Sequence, residues 1–321
     1  MIATFGSCAP PNAEPVNEDP APAADRLRQE TAAMRLSFTW FGVRKTLSAD
    51  QRAEAAESFG AAGEFLSAGK KLIDTRHSRV KAVTAVRRQA VAFFAGMSLP
   101  FPEPAVRLVR RGDLEVIQGR MTEFTEELAH AVGELDEAYE ELRATARRQL
   151  GRLYAESDYP PSLAGLFEMG WEFPSVEPPE YLRRLAPQLY EEECRRVAAR
   201  FDEAAELAEQ MFLTELNSLV SRLAERLSGA DDGRPKVFRD SAVENFQEFF
   251  ERFGRLNIRD RGALDELVER ARATLSGVDP QHLRDSVGLR ARVRQQLTGI
   301  ETSLGGLLTE RPRRHILRRG S

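Results

Sequence analysis

A chain of 321 residues is long enough for one large domain or two medium ones with a real hydrophobic core. Charged residues at 30% and aromatics at only 8% favour long solvated helices over sheets or barrels. The formal net charge of -4 excludes a surface that holds nucleic acid by bulk charge alone.

The first 24 residues carry Pro10, Pro11, Pro15, Pro20 and Pro22 among Ala, Asn and acids, with nothing to bury, so residues 1–24 read as disordered. A short helical stretch around Leu27 to Met34 follows. Leu36, Phe38 and Trp40 alternate with Ser37 and Thr39, which predicts a strand of six or seven residues. Ser48 with Gln51 forms a capping box for a helix reaching about Phe59. Val83, Val86, Ala90, Val91 and Phe94 mark another helix, stopped by Gly96 and by Pro100, Pro102 and Pro104. Val106 to Val109 reads as a second short strand that pairs with the first. Residues 25–112 thus form a small, mostly helical N-terminal module with a short strand pair.

From Asp113, a plausible N-cap, a heptad seam runs through Leu114, Ile117, Met121, Phe124, Leu128, Ala131, Leu135, Ala138 and Leu142, and Ala146, Leu150 and Leu153 extend it. A second long helix is read over 179–227. Its stripe of Val197, Phe201, Ala204, Ala208, Phe212, Leu216, Leu219, Leu223 and Leu227 has an average step of about 3.7 residues. A helix of that length cannot bury its stripe alone, so another segment must lie along it. The simplest arrangement is a long antiparallel hairpin or coiled coil over 113–228, its connection at 157–178. That connection is long for such a hairpin. It holds Tyr159, Leu163, Leu166, Phe167, Met169, Trp171 and Phe173 among prolines. Residues 229–310 read as a cluster of short helices, the first capped by Ser241 and Glu244 and bearing Phe246, Phe249, Phe250 and Phe253, the second opened by Asp260, the third by Asp279 and Pro280. Residues 311–321 are an Arg-rich tail.

Two cysteines, Cys8 and Cys194, have no metal or redox spacing, which suits a reducing cytoplasm. No basic segment followed by an apolar run opens the chain, and the run 90–97 is too short to cross a bilayer, so a cytoplasmic protein without membrane contact is expected.

Few constellations carry chemistry. Residues 63–71 (GEFLSAGKK) resemble a phosphate loop, but Glu64 stands where the first Gly belongs and Lys71 where the magnesium-binding hydroxyl belongs, so ATP binding is rejected. Glu127/His130, Asp74/His77 and Asp279/His282 share the E/D-x-x-H spacing of di-iron bundles. His130 falls outside its helix seam and the other pairs lie near loops, so no metal or other cofactor is expected. No Ser, Cys or Lys sits in a nucleophile context, and the chain reads as non-enzymatic.

Charge is unevenly placed. Residues 70–111 hold ten Lys/Arg against Asp74 and Glu103, a net of +8, whereas residues 123–141 hold eight acids and no Lys/Arg. The basic segment either packs against the acidic one or contacts phosphates through Lys70, Lys71, Arg76, Arg79, Lys81, Arg87 and Arg88, with Arg313 and Arg314 in the tail. The aromatic connection offers Tyr159, Phe167, Trp171 and Phe173 as anchors for a protein partner. Folded back along the helices, it is ordinary core instead.

Three stretches, LSFTWFGVRKTL (36–47), AGKKLID (68–74) and MSLPFPEPAVRLV (97–109) leading into a long acidic helix, together resemble a family of helical proteins of unknown function found in bacteria and phages. The resemblance covers residues 35–155. It implies a protein encoded near MoxR-type AAA ATPases and von Willebrand A-type proteins, and so an accessory of an ATP-driven assembly. The expectation is an all-α scaffold or adaptor with minor β structure, binding protein partners and self-associating through its wide stripe. Nucleic-acid binding is the alternative.

Overall fold

The computed structural model describes residues 22–228, 241–257, 262–278 and 280–309. In chain order its elements are α1 (Ala23–Glu30), β1 (Thr31–Trp40), β2 (Arg44–Thr46), α2 (Ala49–Glu57), β3 (Gly69–Lys71), α3 (Ser78–Gly96), β4 (Ser98–Pro100) and β5 (Val106–Arg110). There follow α4 (Leu114–Glu137), α5 (Tyr139–Leu150), β6 (Phe167–Glu172), α6 (Leu182–Leu185), α7 (Pro187–Leu227), α8 (Ser241–Leu256), α9 (Ala263–Leu275), α10 (Pro280–Asp285) and α11 (Val287–Thr309). The described chain is mostly helical, but it is organised by a four-stranded antiparallel sheet in the order β4-β5-β1-β6.

The central strand β1 changes neighbours along its length. Thr31 to Arg35 pair with β5, in the register Thr31↔Arg110 to Arg35↔Val106. Arg35 to Trp40 pair with β6, in the register Arg35↔Glu172 to Trp40↔Phe167. The expected strand pair is present, but it uses the first half of β1, and a strand rather than a helix carries Thr31 to Met34.

Helices cover both faces of this first half. Ala33, Leu99, Val106 and Leu108 join one hydrophobic cluster with α1, α7, α8, α9 and α11. Met34, Val109, Phe167 and Met169 join a second cluster with α3, α4 and α5. Successive strand residues point to opposite faces, so Ala33 and Met34 lie in different cores. Phe101 meets Phe201 of α7 edge-on at 5.5 Å on the first face, and Phe93 meets Phe124 at 5.9 Å on the second. Arg107 secures the short edge strand: its Nε donates to Ser98 Oγ at 2.6 Å and its Nη2 to the Ser98 carbonyl at 2.9 Å.

The long antiparallel hairpin does not form. The expected seam is buried at Ile117, Met121, Phe124, Leu128, Ala131, Leu135, Leu142 and Ala146, but it packs on α3 and the sheet. The helix breaks at Ala138, and Asp113 makes no side-chain cap, lying in a 3-10 turn. The α7 stripe is buried as expected, Ala208 and Leu219 only in part, but against α1, α8, α9, α11 and the opposite sheet face. The reason is β6. The connection at 157–178 supplies a strand to the sheet edge, and the chain passes from one face to the other around it. Strands of one sheet therefore come from both sides of the 112/113 boundary.

Helix α7 starts later than expected, with Pro187 at its first turn, where a missing N–H costs nothing. Its 41 residues span about 60 Å. Its main companion is α11, whose Val293, Leu297, Ile300 and Leu304 make a continuous seam where shorter helices were expected. Residues 1–21, Asp260, Asp279 and the Arg-rich tail, with Arg313 and Arg314, lie outside the described residues. No described helix is long and apolar enough to cross a membrane.

Phe212 shows how α7 holds the second half of the chain. It is 2% exposed and meets Phe253 at 5.1 Å and Phe249 at 6.1 Å. Phe212→Ala is expected to cost about 3–5 kcal/mol in urea unfolding. Val116→Ala, on the exposed face of α4, should leave the midpoint unchanged.

Candidate functional site

Between β1 and α3 the chain makes an excursion that packs mainly on itself. Strands β2 and β3 form a two-stranded ribbon in the register Arg44↔Lys71, Lys45↔Lys70 and Thr46↔Gly69. The ribbon carries α2, which begins with the capping box the sequence predicts. The Gln51 N–H donates to Ser48 Oγ at 3.2 Å, and the Ser48 N–H donates to Gln51 Oε1 at 3.1 Å. A 3-10 turn at Gly63–Phe65 closes back on α2. Gly63 suits that close approach, because a Cβ would come within 3.1 Å of the Ala53 Cα and press on α2. This arm presents Phe59 and Phe65, exposed by 80% and 87%.

One carboxylate fastens the arm to the body. Lys45 and Lys70 are opposite each other and project from the same ribbon face. Their Nζ atoms reach Asp158 Oδ1 at 2.5 Å and Oδ2 at 2.6 Å. Lys70 Nζ also donates to the Leu153 carbonyl at 2.5 Å, and both Lys70 and Asp158 are buried. The hydrogen bonds from Lys45 and then Lys70 hold the Asp158 carboxyl below the usual carboxylate range. Next to it, Tyr159 Oη donates to the Leu72 carbonyl at 2.9 Å, and Arg152 pairs with Glu54 of α2 at 2.5 Å.

A second exposed apolar feature lies where α6 meets α7. Ala186, with φ -150° and ψ 76°, interrupts the helix and makes an elbow. Tyr181 and Leu185 are exposed by 64% and 79%, and Leu189 in the first turn of α7 is also exposed.

The residues singled out from sequence scatter. Tyr159 is buried and stacks on Tyr154 at 4.8 Å, and Phe167 is buried against Trp40 at 5.0 Å. These two are core, because the connection folds back as part of the sheet. Trp171 sits opposite Leu36 and is half-buried, while Phe173 is exposed. Among the basic candidates, Lys70 is committed to Asp158, and Arg76 Nε bonds Asp74 Oδ1 at 3.2 Å. Arg79 Nη1 donates to the Glu134 carbonyl at 2.8 Å, and Arg87 stacks over Phe38 and Trp40 at 4.8 and 4.6 Å. Lys71, Lys81 and Arg88 remain exposed. His130 is exposed beside Glu134, and no three His, Cys, Asp or Glu side chains converge among the described residues.

Phe59, Phe65, Leu185 and Leu189 were not legible as surface features. A hint exists for Phe59, which lies between a helix end and Gly60 with no large apolar side chain three or four residues away. Reading 179–227 as one helix hid the elbow.

Asp158 contributes stability above the unfolded carboxyl value of about 3.9, and that contribution is lost as pH falls through its lowered native value. Asp158→Asn should flatten this part of the stability–pH curve and speed limited proteolysis within 50–68. A variant with the parent's pH profile and cleavage rate would remove Asp158 as the anchor of the arm.

Set against protein-family models, curated proteins and solved structures, the chain matches none of them.

Proposed function

We propose that the protein is a non-enzymatic scaffold or adaptor that holds a protein partner through the arm at 44–71, with Phe59 and Phe65 as its anchors. The observation that carries this reading is their exposure on a short, capped and fastened element. Burying a phenylalanine side chain is worth about 1.5–3 kcal/mol, and aromatic anchors dominate many interfaces. An arm already held in shape by a capping box, a close Gly63–Ala53 contact and the Asp158 clamp loses little further freedom on docking. The resemblance over 35–155 makes a component of an ATP-driven assembly the partner to try first.

Phe59→Ser with Phe65→Ser should leave helicity and unfolding unchanged, because neither side chain is part of the core. Co-purification with proteins encoded nearby should fall at least tenfold. Unchanged capture would take the arm out of the interface.

Nucleic-acid binding is supported by a different face of the same ribbon. Arg44 and Lys71 are directly opposite, both exposed, and neither takes part in an ion pair among the described residues. Like charges across a strand pair are destabilising, and a phosphate between them would relieve that. Lys81 and Arg88 on α3 extend the basic surface. Retention on DNA or RNA should then weaken steeply with salt, and Arg44→Ser with Lys71→Ser should reduce the log–log slope by about 2. No retention at low salt would end this reading.

A further inference from the structure

We infer that the elbow between α6 and α7 is a homodimer contact, occupied by the elbow of a second copy related by a two-fold axis. It is a different surface from the arm and stands or falls separately from the adaptor reading.

The first turns of α7 lack the cover that the rest of the helix has. Pro187, Gln188, Leu189, Glu191 and Glu192 are exposed, and the buried positions of the stripe begin at Val197. About 15 Å of helix thus precedes the core, with Leu189 on it and with Leu185 and Tyr181 on the turn before it. Exposed apolar residues this close together mark contact surfaces more often than isolated ones do.

The charges say what covers them. Arg183 and Arg184 precede the break, and Glu191 and Glu192 follow it. Arg184, Glu191 and Glu192 take part in no ion pair among the described residues, and Arg183 has only Glu180, at 2.9 Å on an open surface. Laid antiparallel about an axis near Pro187, two copies bring Leu185 of each against Leu189 of the other. The same operation sets Arg183 of each copy across from Glu191 of the other, with Arg184 and Glu192 one position to either side of that pair. A parallel arrangement would set like charges together. The segment is therefore complementary to itself under the operation that closes a dimer, as an isologous interface requires.

Sedimentation of the full chain over a range of concentrations tests this. The parent should move from 36.0 kDa toward twice that mass as concentration rises, and the shift should weaken at high salt. Leu185→Ser with Leu189→Ser should weaken association at least tenfold. The reversals Arg183→Glu/Arg184→Glu and Glu191→Arg/Glu192→Arg should each give monomers. An equimolar mixture of the two reversed proteins should recover the doubled mass, because each then offers what the other lacks. Circular dichroism checks that all variants are folded, as expected for substitutions at exposed positions. A parent that stays at one chain mass at every concentration would overturn the inference. So would reversed variants that dimerise like the parent, or a mixture that fails to recover. Loss of partner capture by the Leu185/Leu189 variant of a strictly monomeric parent would give the elbow to another protein.

Discussion

The structure depends on a strand that is asked to do two things. The first five residues of β1 lie between two layers of helices, and the last five have helices on one side only. Arg35, at the changeover, belongs to both ladders and bonds Glu172 and Glu103 at 2.8 Å each, so one side chain ties β6 to the loop between β4 and β5. The two hydrophobic clusters lie on opposite faces of this sheet, and outside it Arg255 of α8 donates to the Gly96 carbonyl at the end of α3 at 3.1 Å. Helices α3, α4 and α5 gather on one side of the sheet and α1, α7, α8, α9 and α11 on the other, whereas α2 belongs to the arm.

That division explains what could be read in advance. Leu36, Phe38 and Trp40 alternate with polar residues because Ser37 and Thr39 face water, and this half of the strand was legible. Thr31 to Met34 do not alternate, since a strand buried on both faces has no polar side; next to a helical run they looked helical. The burial of the α4 and α7 seams was equally plain, because periodicity reports that a face is covered. It does not report by what. Two stripes of similar length suggested each other as partners, and the strand that separates them lay inside a connection whose prolines and aromatics read as a set of anchors for a partner. The site was less visible still: an exposed phenylalanine and a buried one are the same letter.

The uneven charge of the chain resolves into internal use. The basic segment is largely occupied, by Asp158, Asp74, a carbonyl of α4, the rings of Phe38 and Trp40, and the serine of the edge strand. Cations that look like a binding surface in sequence are here the fasteners of an arm, a helix start and a sheet edge. The exposed remainder of the segment is Lys71 on the outer ribbon face and Lys81 and Arg88 along α3.

The pairing of β1 with β6 also sets an order of assembly. Arg35 and Glu172 are 137 residues apart, so the outer half of β1 has no neighbour until the chain has been made through β6. During synthesis Leu36, Phe38 and Trp40 wait on an open edge while α3 and α4 are already able to form, and closing so long a loop is entropically costly and slow. The unfinished chain is therefore at its stickiest in a particular interval, after its helices exist and before its sixth strand emerges from the ribosome.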